Sequence, residues 1–442
     1  MPMTPESLIV PNLGPCKVRS PLHLSTVQED GLGDFVPDAT RVLAQIEVLP
    51  GEARSYEQGF EKAGPREHIF FDPAKSKAAI VTCGGLCPGM NNVIRSAFLE
   101  LYFRYGVPEV WGIQYGYEGL NPAKAQAPIR LTPDVVERIH YQGGTILSSS
   151  RGPQDIGVMV DTLHNMGINM LFTVGGDGTQ RGAHHIAAEA CRRALPIAVV
   201  GIPKTIDNDL PYVWRSFGYS TALEKAREAI VCAHTEAHDA PNGVGLVKLM
   251  GRNAGFIAAG ATVASQEANF ALVPEVAFPL EGKGGLLDAL HQRLLARRHA
   301  VIVAAEGAGQ HLFPAERTER DASGNPKLND IGVLLRDRIV EHFKSIAMPV
   351  NIKYIDPSYI VRSVPANSDD ALLCDQMARA AVHAAMAGKT DVLIGLEHNQ
   401  LLHVPIATAV ATKKRMSPES QLWTAVLEAT GQPHWGHSEW RP

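Results

Sequence analysis

Gly175-Gly176-Asp177-Gly178-Thr179 and Pro203-Lys204-Thr205-Ile206-Asp207-Asn208-Asp209 are the two loops whose reading decides the fold. Each follows an apolar run, Met170-Leu171-Phe172-Thr173-Val174 in one case and Ile197-Ala198-Val199-Val200 in the other. Such runs read as buried strands. Between the loops, Thr179 to Ala194 is rich in Ala, His, Arg and Glu, with apolar spacing suited to a helix. Two parallel strands joined by a crossover helix put both loops at one carboxyl edge of one sheet. The first loop offers flexible backbone amides and a carboxylate; the second offers a lysine, a hydroxyl and two carboxylates. That set suits a magnesium–nucleotide facing a hydroxyl substrate, so phosphoryl transfer is the first expectation.

Working outward, strand-like and helix-like segments alternate along most of the chain. Ala78–Thr82 reads as a strand, Cys83–Gly89 as a glycine loop, Met90–Tyr105 as a helix and Val110–Ile113 as the next strand. A second set begins near Thr221. It comprises helices Leu223–His234 and Gly285–Ala296, strands Gly245–Leu249, Phe270–Val273 and Ala300–Ala304, and a helix starting at Phe256. Ala371–Ala387 is a long alanine-rich helix leading into a strand at Asp391–Gly395. The predicted fold class is α/β, with two doubly wound, mainly parallel-sheet lobes and the active site between them. Residues 1–76 read as an irregular N-terminal extension, Phe313–Asn329 as a polar surface loop and 411–442 as a C-terminal tail.

The chain has 442 residues, 45% of them hydrophobic and 20% charged, an ordinary balance for a globular protein of two or three domains. A formal charge of -5 gives no reason to expect a nucleic-acid or membrane partner. Six scattered cysteines fit free thiols in a reducing cytoplasm better than a disulfide framework. Met1–Glu6 lacks the basic start of a signal peptide, and no run approaches the roughly 18 apolar residues of a spanning helix.

Gly84-Gly85 lets backbone approach a ligand and can form an anion-binding nest, although it is no dinucleotide fingerprint. Gly175–Thr179 is more specific: amides at a helix start attract phosphate, Asp177 can hold Mg²⁺, and Thr179 is expected to cap the helix. Asp207 can accept a proton from an attacking alcohol, and Asp209 can orient its neighbours. Arg252, in Met250-Gly251-Arg252, and Arg151, between Ser150 and Gly152, are placed to meet phosphate. Three other features read as ordinary structure. Gly388-Lys389-Thr390 follows a helix instead of a strand, so Gly388 ends that helix. His234 and His238 lack a third ligand for zinc. Cys83 and Cys87 read as small apolar fillers.

With those residues in view, the chain resembles the 6-phosphofructokinase family over roughly residues 77–410. The resemblance rests on Gly84-Gly85, Gly175–Thr179, Pro203–Asp209, Met250–Arg252 and Asp356-Pro357-Ser358-Tyr359-Ile360-Val361-Arg362. It implies ATP-dependent phosphorylation of fructose 6-phosphate at its 1-hydroxyl, with Mg²⁺ as cofactor. In that family residues 77–220 would form the donor lobe and 221–360 the sugar-phosphate lobe, with 361–410 returning to the first. Asp207 would be the base, with Arg252 and Asp209 as catalytic partners, and Asp177 the metal residue. Gly85, Arg151, Gly152, Gly176, Asp177, Gly178, Thr179 and Lys204 would bind the donor. Thr205, Ile206, Asp207, Met250, Gly251, Arg252, Glu306, Lys353, Tyr359 and Arg362 would bind the sugar phosphate. The family also implies a cytoplasmic, allosteric homo-oligomer, tetramer or dimer.

Departures from the short bacterial members are informative. They carry glycine where this chain has Lys204, and His and Arg where it has Tyr359 and Lys353. An arginine that they place seven residues before the Met of M-G-R corresponds here to Gly243. These features resemble the long ATP-dependent branch of plants and trypanosomatids. Pyrophosphate-dependent relatives share the lysine at 204 but have Asp in place of Gly178, so Gly178 points to ATP, with pyrophosphate as the alternative. NAD and lipid kinases share G-G-D-G-T but are not expected to carry P-K-T-I-D-N-D or M-G-R. A non-catalytic regulatory subunit is expected to lose the base or the metal residue, and both are present.

Overall fold

Lys77–Thr82, Glu109–Ile113, Met170–Gly175, Ala198–Pro203 and Val392–Glu397 carry almost no polar alternation, and they form the parallel centre of a nine-stranded sheet. Their order across it is 392–397, 198–203, 170–175, 77–82, 109–113. Every residue of 170–175 and 198–203 is buried, as a strand covered on both faces requires. Antiparallel strands close both edges: Ile129–Arg130 on one side, and Gln400–Pro405, Gly59–Lys62 and Arg41–Leu43 on the other. The computed structural model describes residues 5–27, 29–51, 53, 55–314, 319–320 and 326–435.

Register decides where the loops emerge. Gly175 lies opposite Pro203, and Val174 opposite Thr82, so three strands end level at one edge. The crossover helix between the first two is Asp177–Arg192. The second sheet has four strands, all parallel, in the order Phe270–Leu272, His299–Ala305, Gly243–Leu249, Asn351–Ile355. Here Leu249 lies opposite Ala305, which aligns another pair of carboxyl ends.

The chain divides into two units. The first comprises Met1–Ile206, Leu210–Gly218 and Ser363–Lys413; the second comprises Asp207–Asp209, Tyr219–Arg362 and Lys414–Pro442. The Pro203–Asp209 loop is therefore shared, its lysine counted with the first unit and its aspartates with the second.

Two segments differ from their reading as extension and tail. Gly59–Lys62 joins the large sheet, and its buried Glu61 pairs with Lys389 at 2.9 Å and Arg66 at 3.0 Å. Gln421–Thr430 is a helix capped by Ser420, and the Gln432 side chain bonds both backbone groups of Ala271. Four-residue strands and an isolated late helix carry too little periodicity to register in sequence. Residues 315–318 and 321–325 of the polar loop lie outside the described residues. Among the described residues no helix is long and apolar enough to cross a membrane.

Candidate active site

In the first unit the glycine loops are drawn together by backbone bonds. Cys83 N donates to Val174 O at 2.9 Å, Gly84 N to Ser150 O at 3.1 Å and Lys204 N to Gly175 O at 3.1 Å. The Ser149 hydroxyl donates to Gly84 O at 2.6 Å, lacing Arg151 and Gly152 to the same loop. A β-carbon on Gly85 would sit 3.2 Å from the Arg151 guanidinium, and one on Gly84 would sit 3.3 Å from Lys204 Nζ. Lys204 Nζ itself donates to Gly85 O at 2.6 Å. Two cations thus border a glycine surface with no side chains of its own, a cradle suited to phosphate.

Gly176 N-caps the helix Asp177–Arg192, and the cap has no side-chain hydrogen bond. Thr179 is therefore a first-turn residue, in contrast to its predicted role as the cap. The chain reaches Gly176 in extended conformation and turns helical at once, leaving Thr179 no room to precede the helix. Its side chain explains Gly175 instead, because a β-carbon there would lie 2.2 Å from Thr179 Oγ1. Asp177 Oδ2 accepts from Arg181 Nε at 3.3 Å, and its enclosed Oδ1 makes no hydrogen bond but lies 3.3 Å from Arg181 Nη2 in an ion pair. One such carboxylate fits a Mg²⁺ ion that keeps its waters and takes its other ligands from nucleotide phosphates. Among the described residues no group of three His, Cys, Asp or Glu can hold a metal alone.

Of the residues expected to meet the acceptor, Thr205 and Ile206 belong to the first unit and Asp207, Met250, Gly251, Arg252, Glu306, Lys353, Tyr359 and Arg362 to the second. Asn208 turns the aspartate loop through the left-handed region at φ 55°, a conformation that asparagine tolerates better than most side chains. Asp207 is partly buried, its Oδ1 enclosed without a hydrogen bond and its Oδ2 accepting from Arg252 N at 3.4 Å. Burial, then the neighbouring Asp209 and Glu306 carboxylates, push its pKa up to about 7, against the pull of Arg252. Gly251 adopts φ 128°, where a side chain is strained, and a β-carbon would lie 2.7 Å from Ala254 O. Glu306 follows the strand His299–Ala305, donating its N–H to Leu249 O at 2.8 Å. Burial raises its pKa, while Arg252 and Lys248 pull it down.

A family model described as Phosphofructokinase matches residues 77–385. The chain is 48% identical over 431 residues to the ATP-dependent 6-phosphofructokinase of Borreliella burgdorferi, covering 96% of each protein. It is also 48% identical over 373 residues to the ATP-dependent 6-phosphofructokinase of Trypanosoma brucei brucei, covering 84% of this chain and 76% of the relative. This chain belongs to the phosphofructokinase family. The fold likewise matches the solved structure of a pyrophosphate-dependent phosphofructokinase from Marinobacter aquaeolei, with a TM-score of 0.66. That match covers 83% of this chain and 94% of the other; at 20% identity it speaks to fold alone.

Not every candidate of this phosphofructokinase-family chain gathers at the strand ends. Lys353 lies opposite Gly245, four positions before Leu249, which is about 13 Å back along the strand. There it pairs with Glu236 at 3.5 Å, so within one chain it is set apart from the M-G-R loop. Tyr359 is 74% exposed, and the Arg362 guanidinium stacks 5.0 Å from its ring centroid. Gly243 cannot be an arginine in this fold, since even a β-carbon would meet Ala237 O at 2.0 Å. Thr205 accepts from the Ser216 hydroxyl through its carbonyl, and Ile206 and Met250 continue their loops. Ser149 and Tyr117, whose hydroxyl donates to Thr179 O at 2.7 Å, escaped the sequence reading because neither sits in a recognisable motif.

Proposed function

We infer that the chain catalyses ATP-dependent phosphorylation of fructose 6-phosphate at the 1-hydroxyl, giving fructose 1,6-bisphosphate and ADP. The observation that carries this reading is Asp207, an enclosed carboxylate of raised pKa beside Arg252 in a chain closely related to named ATP-dependent enzymes. Asp207 takes the proton of the 1-hydroxyl as its oxygen bonds to the γ-phosphorus. The bond from that phosphorus to the bridging oxygen breaks, and ADP leaves. Arg252, Arg151 and Lys204 offset charge on the transferring group and the leaving phosphates. Asp177 would hold the Mg²⁺ carried by the nucleotide, which screens phosphate charge when bound. Asp209 keeps Asp207 basic through its own negative charge.

In this reading the donor groups lie on the first unit, and Asp207, Asp209, Met250, Gly251, Arg252, Glu306 and Arg362 on the second. Family membership likewise supports a cytoplasmic, allosteric homo-oligomer, dimer or tetramer. A coupled assay with fructose 6-phosphate should show turnover with ATP far above that with pyrophosphate. No ADP release, or a preference for pyrophosphate, refutes the reading.

Arg362 is proposed to hold the 6-phosphate, with Tyr359 steadying its guanidinium and Lys353 as a further proposed contact. Losing a charge-assisted contact costs about 1.5–3 kcal/mol, so Arg362→Ala should raise KM for fructose 6-phosphate tenfold or more. Steady-state kinetics on the variant check this; an unchanged KM puts the phosphate elsewhere.

A further inference from the structure

The loop of Asp207 and the loop of Arg252 meet where the Arg252 N–H donates to Asp207 Oδ2 at 3.4 Å. That is longer than the usual N–H···O range, so the groups that hold its two sides decide how well the pair is aligned. Both sides are held by the late segment Lys414–Met416, beyond the residues that the family model matches. Lys414 N donates to Asp209 O at 3.0 Å. Met416 N donates to Glu275 Oε1 at 3.0 Å. The same carboxylate takes the N–H of Gly255, at 3.0 Å through Oε1 and 3.1 Å through Oε2. All of these residues belong to the second unit.

A carboxylate suits this junction. Gly255 N-caps the helix Phe256–Ser265 and brings no side chain to that role, and Glu275 adds a negative charge at the positive end of the helix. An ionised acceptor also makes stronger hydrogen bonds than a neutral one. Lys414 supplies a second hold, its ammonium lying 5.1 Å from the ring centroid of Phe256. Met416 is buried, which anchors the segment. The contacts close a circuit: Asp207 to Arg252, Gly255 through Glu275 to Met416, and Lys414 back to Asp209.

We propose that Glu275 is a positioning residue for phosphoryl transfer, fastening the Lys414–Met416 segment to the M-G-R loop so that Arg252 and Asp207 stay aligned. Glu275 acts through Gly255 and Met416. The proposal rests on the reading of Asp207 as the base and Arg252 as its partner.

The test is steady-state kinetics across pH on the full-length protein, with melting temperature measured in parallel. Glu275→Ala should lower kcat by about tenfold or more, the scale of a hydrogen bond to a charged group. KM for ATP should stay within a few-fold, because the donor groups lie on the first unit. The limb of kcat/KM near pH 7 reports Asp207, which burial, Asp209 and Glu306 push up against the pull of Arg252. Loosened loops admit water and relax that burial, so the limb should move to lower pH in the variant. In an Asp207→Asn background, Glu275→Ala should cost no more than about twofold further, because the group that it positions is gone. If Glu275→Ala does not fold, Glu275→Gln keeps the shape with one acceptor oxygen. It should lower kcat by about threefold, with the same movement of the limb.

A merely structural carboxylate predicts another pattern: a lowered melting temperature with kcat and the pH limb of the wild type, and full additivity with Asp207→Asn. That pattern overturns the proposal. Asp207→Asn alone separates the two levels. If it removes turnover while the Glu275 variants keep the wild-type kcat and limb, the role of Glu275 is wrong and the base assignment stands. If Asp207→Asn turns over normally, both fall.

Discussion

Asp207→Asn should cut kcat by about 10²–10⁴-fold, the usual loss on removing a positioned base, while KM for both substrates stays within a few-fold. Asparagine keeps the shape and an oxygen acceptor for the Arg252 amide, but it cannot take a proton. The environment makes the base effective: burial and the Asp209 and Glu306 carboxylates push Asp207 up to about 7, so its basicity suits neutral pH. The carboxylate is the active form, so kcat/KM for fructose 6-phosphate should fall as pH drops through about 7 in the wild type. The residual activity of the Asn variant should lack that limb. The stability effect has the opposite sign. A folded-state pKa above the ordinary carboxylate range means that Asp207 costs stability progressively as pH rises from the ordinary Asp range to about 7, with no further loss above that. Asp207→Asn should therefore melt higher than the wild type at pH 8, with the gap closing below pH 4, near the ordinary Asp pKa. Near-normal turnover in the variant, or a pH limb that survives it, removes Asp207 from the mechanism.

Gly178→Asp should depress kcat/KM for ATP by two orders of magnitude or more, the scale of about 3 kcal/mol. The substitution is a clean probe because a β-carbon at Gly178 meets nothing within 4 Å, so the fold tolerates it. The added carboxylate would stand in open space on the first turn of the Asp177–Arg192 helix. There it repels a nucleotide's α-phosphate and occupies its volume, while a shorter diphosphate is less obstructed. Pyrophosphate turnover need not appear, since removing one donor does not build contacts to another. Comparing kcat/KM for ATP and pyrophosphate in both proteins decides it. Undiminished ATP use by the variant refutes Gly178 as the donor-selecting position, and the melting temperature should stay within a few degrees.

The sequence by itself determined the βαβ unit and the chemistry of its loops. Met170–Gly175 and Ala198–Pro203 are buried apolar runs, and the glycines and carboxylates that follow them need only local geometry to be recognised. The αL turn at Asn208 and the glycine demanded at 175 by Thr179 are likewise near-neighbour effects. Tertiary structure decided what depends on partners distant in the chain. Lys248 reads as one charged residue in an apolar strand until the fold brings Asp330 and Asp356 to it. Lys353 is two residues into a strand whose register with Gly245 sets it back from the M-G-R loop. The raised pKa of Asp207 is of the same kind, since desolvation and the field of Glu306 exist only after packing. Backbone preference and apolar periodicity act over a few residues and leave their mark in the order of amino acids. Register, burial and long-range charge pairing are properties of the assembled chain.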